Sequence, residues 1–228
     1  MNTDALEEAI QYTFVDKNFL REALTHRSYL NENPSWRLPH NERLEFLGDA
    51  VLELIVTEEL FNRYPDYAEG QLTSLRAALV NYQMLAKIAR DLGLEAHLLM
   101  SRGEAKDTGR AREVILANAF ESLIGAVYSD GGYEKTRRIV DRFLMSFLDE
   151  VVKQGLYRDA KSMLQEKIQK EKRITPHYQV HRESGPDHAK TFIVGVYFGE
   201  QFVAEGEGQS KHEAELEAAK KALEQATD

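Results

Sequence analysis

The chain contains no cysteine among its 228 residues. Disulfide bonds, thiolate metal sites and cysteine nucleophiles are therefore excluded. No apolar run is long enough to span a membrane, and the acidic N-terminus MNTDALEEAI lacks the basic and apolar segments of a signal peptide. These absences predict a protein of a reducing compartment without a membrane partner, and we expect a cytoplasmic location.

The chain also has fewer positively charged residues than negatively charged ones. Lysine and arginine total 29 against 38 aspartates and glutamates, which gives a formal net charge of −9. Phosphate binding depends on Lys and Arg, so the total argues weakly against a nucleic-acid partner. The distribution of the cations matters more than their sum, and the charge alone does not exclude such a partner.

The hydrophobic pattern divides the chain into two domains. Residues 1–152 carry repeated apolar positions at helical spacing, separated by turn signals such as RYPDYAEG and DGGY. Residues 153–158 form a polar segment typical of a linker. Residues 159–228 predict a helix, three strands and a closing helix capped by Ser210. We therefore expect a multidomain protein, with an all-α domain followed by a small α+β domain of order α-β-β-β-α.

An unusual group of acids lies in the segment NERLEFLGDAVLELIVTEEL, which begins at Asn41. Its helical spacing predicts a core-facing stripe formed by Leu44, Leu47, Val51, Leu54 and Ile55. Glu45 and Asp49 are four residues apart, with Glu42 close by, so Glu45 and Asp49 share a helix face. Carboxylates placed in this way repel each other and mildly destabilise a helix.

A second polar pair lies in the apolar segment ILANAFESLIGAVYSD, where Asn118 and Glu121 are three residues apart. Two mostly buried helices that each present oxygen atoms on one face could meet and hold a hard cation such as Mg²⁺. The alternative is that both groups lie on solvated helix faces. Glu69, at the start of another helix, has a simpler explanation, because acids are favourable near a helix N-terminus.

The C-terminal domain has several polar groups that could contact phosphate. Ser210, Lys211 and His212 begin the last helix, where free N–H groups and a cation favour anions. His188 lies in the loop SGPDHAK, and Gln165 and Gln169 lie one turn apart on the first helix of that domain. Each of these residues taken separately is equally typical of an ordinary surface.

Several motifs resemble those of the bacterial ribonuclease III family. NERLEFLGDAVLELIV closely resembles the family signature, and so do ALTHRSYLNE, EGQLTSLRAALVN and ILANAFESLIGAVYSDGG. GPDHAKTF and GEGQSKHEAELEAAKKAL resemble a double-stranded-RNA-binding domain. Together these matches cover nearly the whole chain, and they imply an endonuclease domain followed by an RNA-binding domain.

The resemblance implies a function for each of these groups. It suggests an endoribonuclease that cuts double-stranded RNA to 5′-phosphate and 3′-hydroxyl ends, in ribosomal and messenger RNA processing, and that acts as a homodimer. The cofactor would be Mg²⁺, with Mn²⁺ as a substitute. Glu45, Asp49, Asn118 and Glu121 would bind metal, with Asp49 and Glu121 catalytic and with Glu42 and Glu69 accessory. RNA contacts would come from Gln165, Gln169, His188, Lys190, Ser210, Lys211 and His212. Phe46 matches a dimer-contact position, although a phenylalanine of the core is equally compatible with the sequence.

Two features depart from the family pattern. Position 118 is usually aspartate, and Asn118 offers an oxygen without a charge. Residues 159–228 contain ten Lys plus Arg against thirteen Asp plus Glu, so the RNA-binding domain carries a net charge of −3. Weak metal binding would favour an alternative function, a regulator that binds double-stranded RNA without cleaving it.

Overall fold

The computed structural model describes residues 3–155, 160–186 and 190–225. The chain divides into two compact units, residues 1–157 and residues 158–228. No helix in the described part of the chain is long and apolar enough to cross a membrane.

The first unit is helical throughout its described part, as the sequence predicted. Its α-helices are α1 (Asp4–Ile10), α2 (Lys17–Ala23), α3 (Arg27–Glu32), α4 (Glu42–Arg63), α5 (Glu69–Leu79), α6 (Tyr82–Asp91), α7 (Arg110–Gly131), α8 (Tyr133–Phe143) and α9 (Leu148–Gln154). Short 3₁₀ turns occur at Leu94–His97, Glu104–Lys106 and Met145–Phe147. Helix α9 includes Lys153 and Gln154, so the first two residues of the segment expected to be a linker are helical.

Helix α7 is the central element of this unit. Its residues 122–127 are all buried, and α2, α4, α6 and α8 pack around it. Helix α4 lies against α7 through one apolar face, which includes the buried Val51, Leu52 and Ile55. One predicted member of this face is wrong: Leu54 is 56% exposed. The buried face of α4 instead includes Leu52, Val56 and Leu60, and Leu54 lies outside it, exposed to solvent.

Two glycines allow α4 and α7 to approach closely. A Cβ atom added to Gly48 would lie 1.8 Å from the main-chain oxygen of Glu121, and one added to Gly125 would lie 2.1 Å from that of Leu44. These are backbone atoms that no side-chain rotation can move. Only glycine fits at these positions, so the two helices meet backbone to backbone beside the predicted acids.

The second unit has the predicted α-β-β-β-α order. It contains α10 (Ala160–Lys172), β1 (His177–Ser184), β2 (Thr191–Phe198), β3 (Gln201–Gly208) and α11 (Lys211–Gln225). The strands form one antiparallel sheet in the order β1-β2-β3. The register shifts between Val180 and Arg182 on β1 and between Val196 and Tyr197 on β2.

Helix α11 packs on this sheet through small residues. Ala214, Ala218, Ala219 and Ala222 are all fully buried. Gly206 on β3 leaves room for them, since an added Cβ atom would lie 2.2 Å from the Ala218 nitrogen. The predicted cap of this helix is confirmed, because the Ser210 hydroxyl accepts a hydrogen bond from the Glu213 N–H.

Candidate active site

The contact between α4 and α7 brings together both polar pairs that the sequence singled out. Glu45 and Asp49 lie on α4 on either side of Gly48, and Asn118 and Glu121 lie on α7. Glu45, Asn118 and Glu121 are partly buried, whereas Asp49 is exposed. The close approach at Gly48 therefore places oxygen-bearing side chains of two helices beside each other at the edge of the core.

Two of the three carboxylates in this group, Glu121 and Glu45, have raised pKa values. Burial, together with the neighbouring charges of Asp49 and Glu45, raises the pKa of Glu121 to about 8. Burial also raises the pKa of Glu45, as do the charges of Glu42 and Asp49. A site that concentrates negative charge in this way favours any cation that enters it.

Asn118 is part of this group and does not face solvent alone. Its side-chain amide acts on the Glu45 carboxylate across the contact with α4 and lowers the pKa of Glu45, against burial, which raises it. The amide oxygen is the atom of Asn118 that could coordinate an ion. The alternative of two separate solvated faces does not describe this arrangement.

A buried hydrogen-bond chain holds the start of α4 in place. Asn41, which precedes the helix, is buried, and its backbone N–H donates to the Thr25 oxygen at 2.9 Å. The Ser122 hydroxyl on α7 lies 3.3 Å from the main-chain oxygen of Asn41 and donates to the main-chain oxygen of Asn118 at 2.7 Å. The residues on each side of the acids are thereby tied to one another and to the core.

The chemistry of the donor set fits a hard divalent cation. Three carboxylates and one amide offer only oxygen, which Mg²⁺ and Mn²⁺ accept readily. Within residues 3–155, 160–186 and 190–225, no three Asp, Glu, His or Cys side chains are already placed to hold an ion by themselves. Binding would therefore require the carboxylates to converge by side-chain rotation.

The two predicted accessory acids have different surroundings. Glu42 begins α4, lies 3.5 Å from Arg27, and its charge acts on Glu45. Glu69 begins α5 and accepts a hydrogen bond from the Thr73 hydroxyl at 3.0 Å. Glu69 is not among the charges that shift the pKa of Glu45 or Glu121. The structure thus brings Glu42 to the edge of the acidic group and does not bring Glu69 there.

Phe46 does not belong to the core of this chain. Its side chain is 82% exposed, so the alternative of a core phenylalanine is wrong for the isolated chain. Leu54 and Phe61, which are 56% and 69% exposed, follow on the same helix. Phe46, Leu54 and Phe61 together form an exposed row of apolar side chains on α4.

The predicted RNA-contacting residues of the second unit are mostly at its surface. Gln165 and Gln169 are exposed on α10, and Lys211 and His212 are exposed at the start of α11. Ser210 caps α11 by accepting a hydrogen bond from the Glu213 N–H at 3.2 Å.

The other two predicted RNA contacts differ. Lys190 lies 2.9 Å from Glu183, so its charge is partly compensated. His188 lies outside the described residues.

The sequence pattern did not single out Gly48, Gly125 or Ser122. An isolated glycine inside a helical pattern was the available signal, because it often marks a close backbone contact. Ser122 gave no such signal, since a serine on a helix is more often exposed.

Comparisons with known proteins agree with the division of the chain into two units. Residues 16–148 match the family described as Ribonuclease-III-like, and residues 160–226 match the double-stranded RNA binding motif. The chain belongs to the ribonuclease III family. Its two matched regions correspond to the two units of the fold.

Several relatives of similar length share the name Ribonuclease 3. The chain is 48% identical to Ribonuclease 3 of Symbiobacterium thermophilum over 95% of this chain and 91% of that protein. It is 47% identical to Ribonuclease 3 of Desulforamulus reducens over 96% and 89% of the two chains. Among solved structures, the nuclease domain of ribonuclease III from Campylobacter jejuni is 44% identical, with a TM-score of 0.58, over 64% of this chain and 97% of that one.

The predicted family, fold and enzyme class are thereby confirmed. This member of the ribonuclease III family is an endoribonuclease with a helical nuclease domain and a domain for double-stranded RNA. No comparison supports the alternative of a non-cleaving regulator.

Proposed function

We propose that this enzyme cleaves double-stranded RNA with Mg²⁺ held by Glu45, Asp49, Asn118 and Glu121, and that Mn²⁺ can substitute. The observation that carries the proposal is the electrostatic coupling of Glu121 to Asp49 and Glu45 across the contact of α4 with α7. That coupling joins two helices whose acids are far apart in sequence. A bound cation would also explain why α4 retains acids that repel each other on one face.

Each side chain has a part in this proposal. Asp49 and Glu121 would hold the bound ion, attracting it with their carboxylates. Glu45 would contribute a third carboxylate, next to the Asn118 amide. The Asn118 oxygen completes the donor set without adding charge, so we expect this enzyme to need more Mg²⁺ than a relative with aspartate at that position.

A bound divalent ion supplies a Lewis acid, which offsets the charge of the phosphate and lowers the pKa of water. Glu42 and Glu69 keep the accessory roles that were predicted for them, near the scissile phosphate or an outer metal ion. The products would carry 5′-phosphate and 3′-hydroxyl ends.

A homodimer is the second part of the proposal. Each strand of a duplex needs its own catalytic site, and the nuclease unit of this chain offers one group of acids for this role. The exposed row on α4 is an apolar surface that a second copy could cover, with Phe46 at one end. The solved nuclease domain of ribonuclease III from Campylobacter jejuni is described as structurally flexible in a region involved in dimer formation.

The second unit would hold the duplex by shape and phosphate contacts, without reading its sequence. Gln165, Gln169, His188, Lys190, Ser210, Lys211 and His212 remain the proposed contacts. The amide groups at the start of α11 and the Lys211 ammonium suit a phosphate. A cytoplasmic location and a role in ribosomal and messenger RNA processing complete the proposal.

Replacing Glu121 by glutamine tests the metal site. Glu121→Gln removes one charge and preserves shape, so we expect cleavage to be nearly abolished while duplex binding in EDTA is unchanged. Calorimetric titration with Mn²⁺ in the absence of RNA should show weaker ion binding. The control is Glu134→Gln, an exposed acid on α8. Wild-type cleavage by Glu121→Gln at saturating Mg²⁺ would remove this residue from the site.

A further inference from the structure

A pocket of about 840 Å³ lies in the helical unit, apart from the acidic group. Its walls come from α2, from the segment that follows α3, and from the 3₁₀ turn Leu94–His97 with the residues after it. None of the residues proposed to bind metal, RNA or a second copy lines it. The mechanism described above gives this pocket no role.

The lining of the pocket is cationic in an acidic protein. Arg21, Arg37 and His97 contribute to it, and no aspartate or glutamate does. Arg21 and Arg37 have no ion-pair partner anywhere in the part of the chain that the structure describes. Acidic residues outnumber basic ones by nine in the whole sequence. Two uncompensated guanidinium groups on one pocket therefore favour an anionic ligand, and phosphate matches their geometry well.

Aromatic rings form another part of the lining. Tyr29 and Trp36 pack edge to face, with ring centroids 5.5 Å apart and an interplanar angle of 89°. Both residues line the pocket, so a planar group that enters it would meet aromatic surface. The Trp36 indole N–H is buried and has no hydrogen-bond acceptor among the described residues. An oxygen atom of a ligand is the kind of acceptor that this donor lacks.

The back wall of the pocket is fixed by the backbone. The Leu99 N–H donates to the Leu24 oxygen at 2.8 Å, and the His26 N–H donates to the Leu99 oxygen at 2.9 Å. Thr25, between them, accepts the hydrogen bond from Asn41 at the start of α4. The pocket is therefore preformed. The backbone segment that forms its wall also bonds the residue that precedes α4.

We propose that this pocket binds one unpaired nucleotide. The base packs against Trp36 and Tyr29, and the phosphate pairs with Arg21 and Arg37. A planar aromatic group that carries a phosphate satisfies both halves of the lining, whereas a bare phosphate or an apolar peptide satisfies one. Base–aromatic stacking tolerates any base, so we expect little base preference.

The ligand chemistry has two possible sources, a free nucleotide and an unpaired residue at the end of an RNA duplex. Trp36 is the only tryptophan of the chain, so its fluorescence reports on the pocket directly. We would titrate the full-length enzyme in EDTA with AMP, with a blunt duplex, and with the same duplex carrying a single-stranded adenosine tail. Saturable quenching by AMP identifies a nucleotide site open to free ligands. Quenching by the tailed duplex alone identifies a site for unpaired RNA.

The variants Arg21→Ala and Arg37→Ala make the test specific. Each removes one proposed phosphate contact, so the dissociation constant of the quenching ligand should rise by about tenfold. Arg138→Ala, an exposed arginine on α8, is the matched control and should leave it unchanged. Trp36→Ala should lose AMP or tail binding in equilibrium dialysis while retaining its helical circular dichroism.

Three results would overturn the proposal. One is the absence of a saturable signal with either AMP or the tailed duplex. Another is a signal that persists unchanged in Arg21→Ala and Arg37→Ala. Inorganic phosphate that quenches as well as AMP would also contradict it, since the base would then contribute nothing.

Discussion

Burial raises the pKa of Glu45, and the Asn118 amide, which acts on it across the contact between α4 and α7, lowers it. This relationship links a residue that departs from the family pattern to one of the proposed metal ligands. With aspartate at position 118 the amide would be replaced by a fourth carboxylate. The residue therefore offsets part of the repulsion among the acids, at the expense of attraction for a cation.

The first prediction concerns Asn118→Asp. The added charge should lower the Mg²⁺ concentration needed for half-maximal cleavage, because it strengthens attraction in a partly dry site. In EDTA the same change should destabilise the fold by about 1 kcal/mol, since another carboxylate joins three that are already close together. Parallel Mg²⁺ titrations and urea unfolding curves measure both effects. Superimposable titrations of the two proteins would exclude Asn118 from the metal site.

The second prediction concerns Gly48→Ala. The new methyl group would meet the Glu121 main chain, so the two helices must separate. We expect the free energy of unfolding to fall by roughly 1–3 kcal/mol or more. Cleavage should also fall, because the acids on α4 and α7 move apart. Gly70→Ala is the control, since its added Cβ meets nothing within 4 Å and alanine favours a helix. Equal stability of the two variants would disprove the close contact.

The third prediction concerns the pH dependence contributed by Asp130. Burial acts to raise its pKa, but hydrogen bonds from the Asp16 and Val15 N–H groups and from the Tyr12 hydroxyl lower it overall. The charged form is therefore favoured by folding. Its stabilisation is complete above the ordinary value of 3.8 and is lost as the pH falls through the lowered pKa.

Asp130→Asn should consequently lower the free energy of unfolding by about 1–2 kcal/mol at neutral pH. The partial exposure of Asp130 keeps this loss small. The difference from the wild type should shrink in acid. Urea midpoints measured at pH 7 and at successively lower pH values test this. A difference that stays constant across that range would show that the carboxylate charge contributes nothing.

The fourth prediction separates binding from chemistry. A chain truncated after Lys153 should still cleave at low salt but lose activity more steeply than the full chain as salt rises. The nuclease unit has its own core, while phosphate contacts of the second unit are absent. Cleavage rates across a KCl series measure the effect. Identical salt profiles would mean that the second unit does not contribute to substrate binding.

The fifth prediction concerns Lys211, which is exposed at the start of α11. Lys211→Ala should weaken binding to duplexes of every sequence about equally and reduce the salt slope by about one. Lys211→Arg keeps the charge and should restore most of the affinity. Filter binding with several unrelated duplexes measures this. A change of sequence preference at constant affinity would indicate base contacts instead.

Much of the architecture followed from local patterns in the sequence. Helical periodicity predicted the all-α unit, and alternation with β-branched residues predicted the three strands, because burial on one face is a local requirement. Ser210 was predictable as a cap since its hydroxyl bonds a backbone group three residues away. The acids on α4 and the polar pair on α7 were each visible as exceptions within apolar helices.

Only the tertiary structure decided which of these groups meet. Glu121 is coupled to Glu45 and Asp49 because two glycines let the backbones of α4 and α7 touch, although the two helices are distant in sequence. The exposure of Phe46 and Leu54 was equally undecidable, since periodicity defines an apolar face but not its width. The pocket lined by Arg21, Trp36 and Arg37 has no sequence signature, because it is formed by packing of three separate segments. Spacing along the chain determines faces, and the packing of distant elements determines sites.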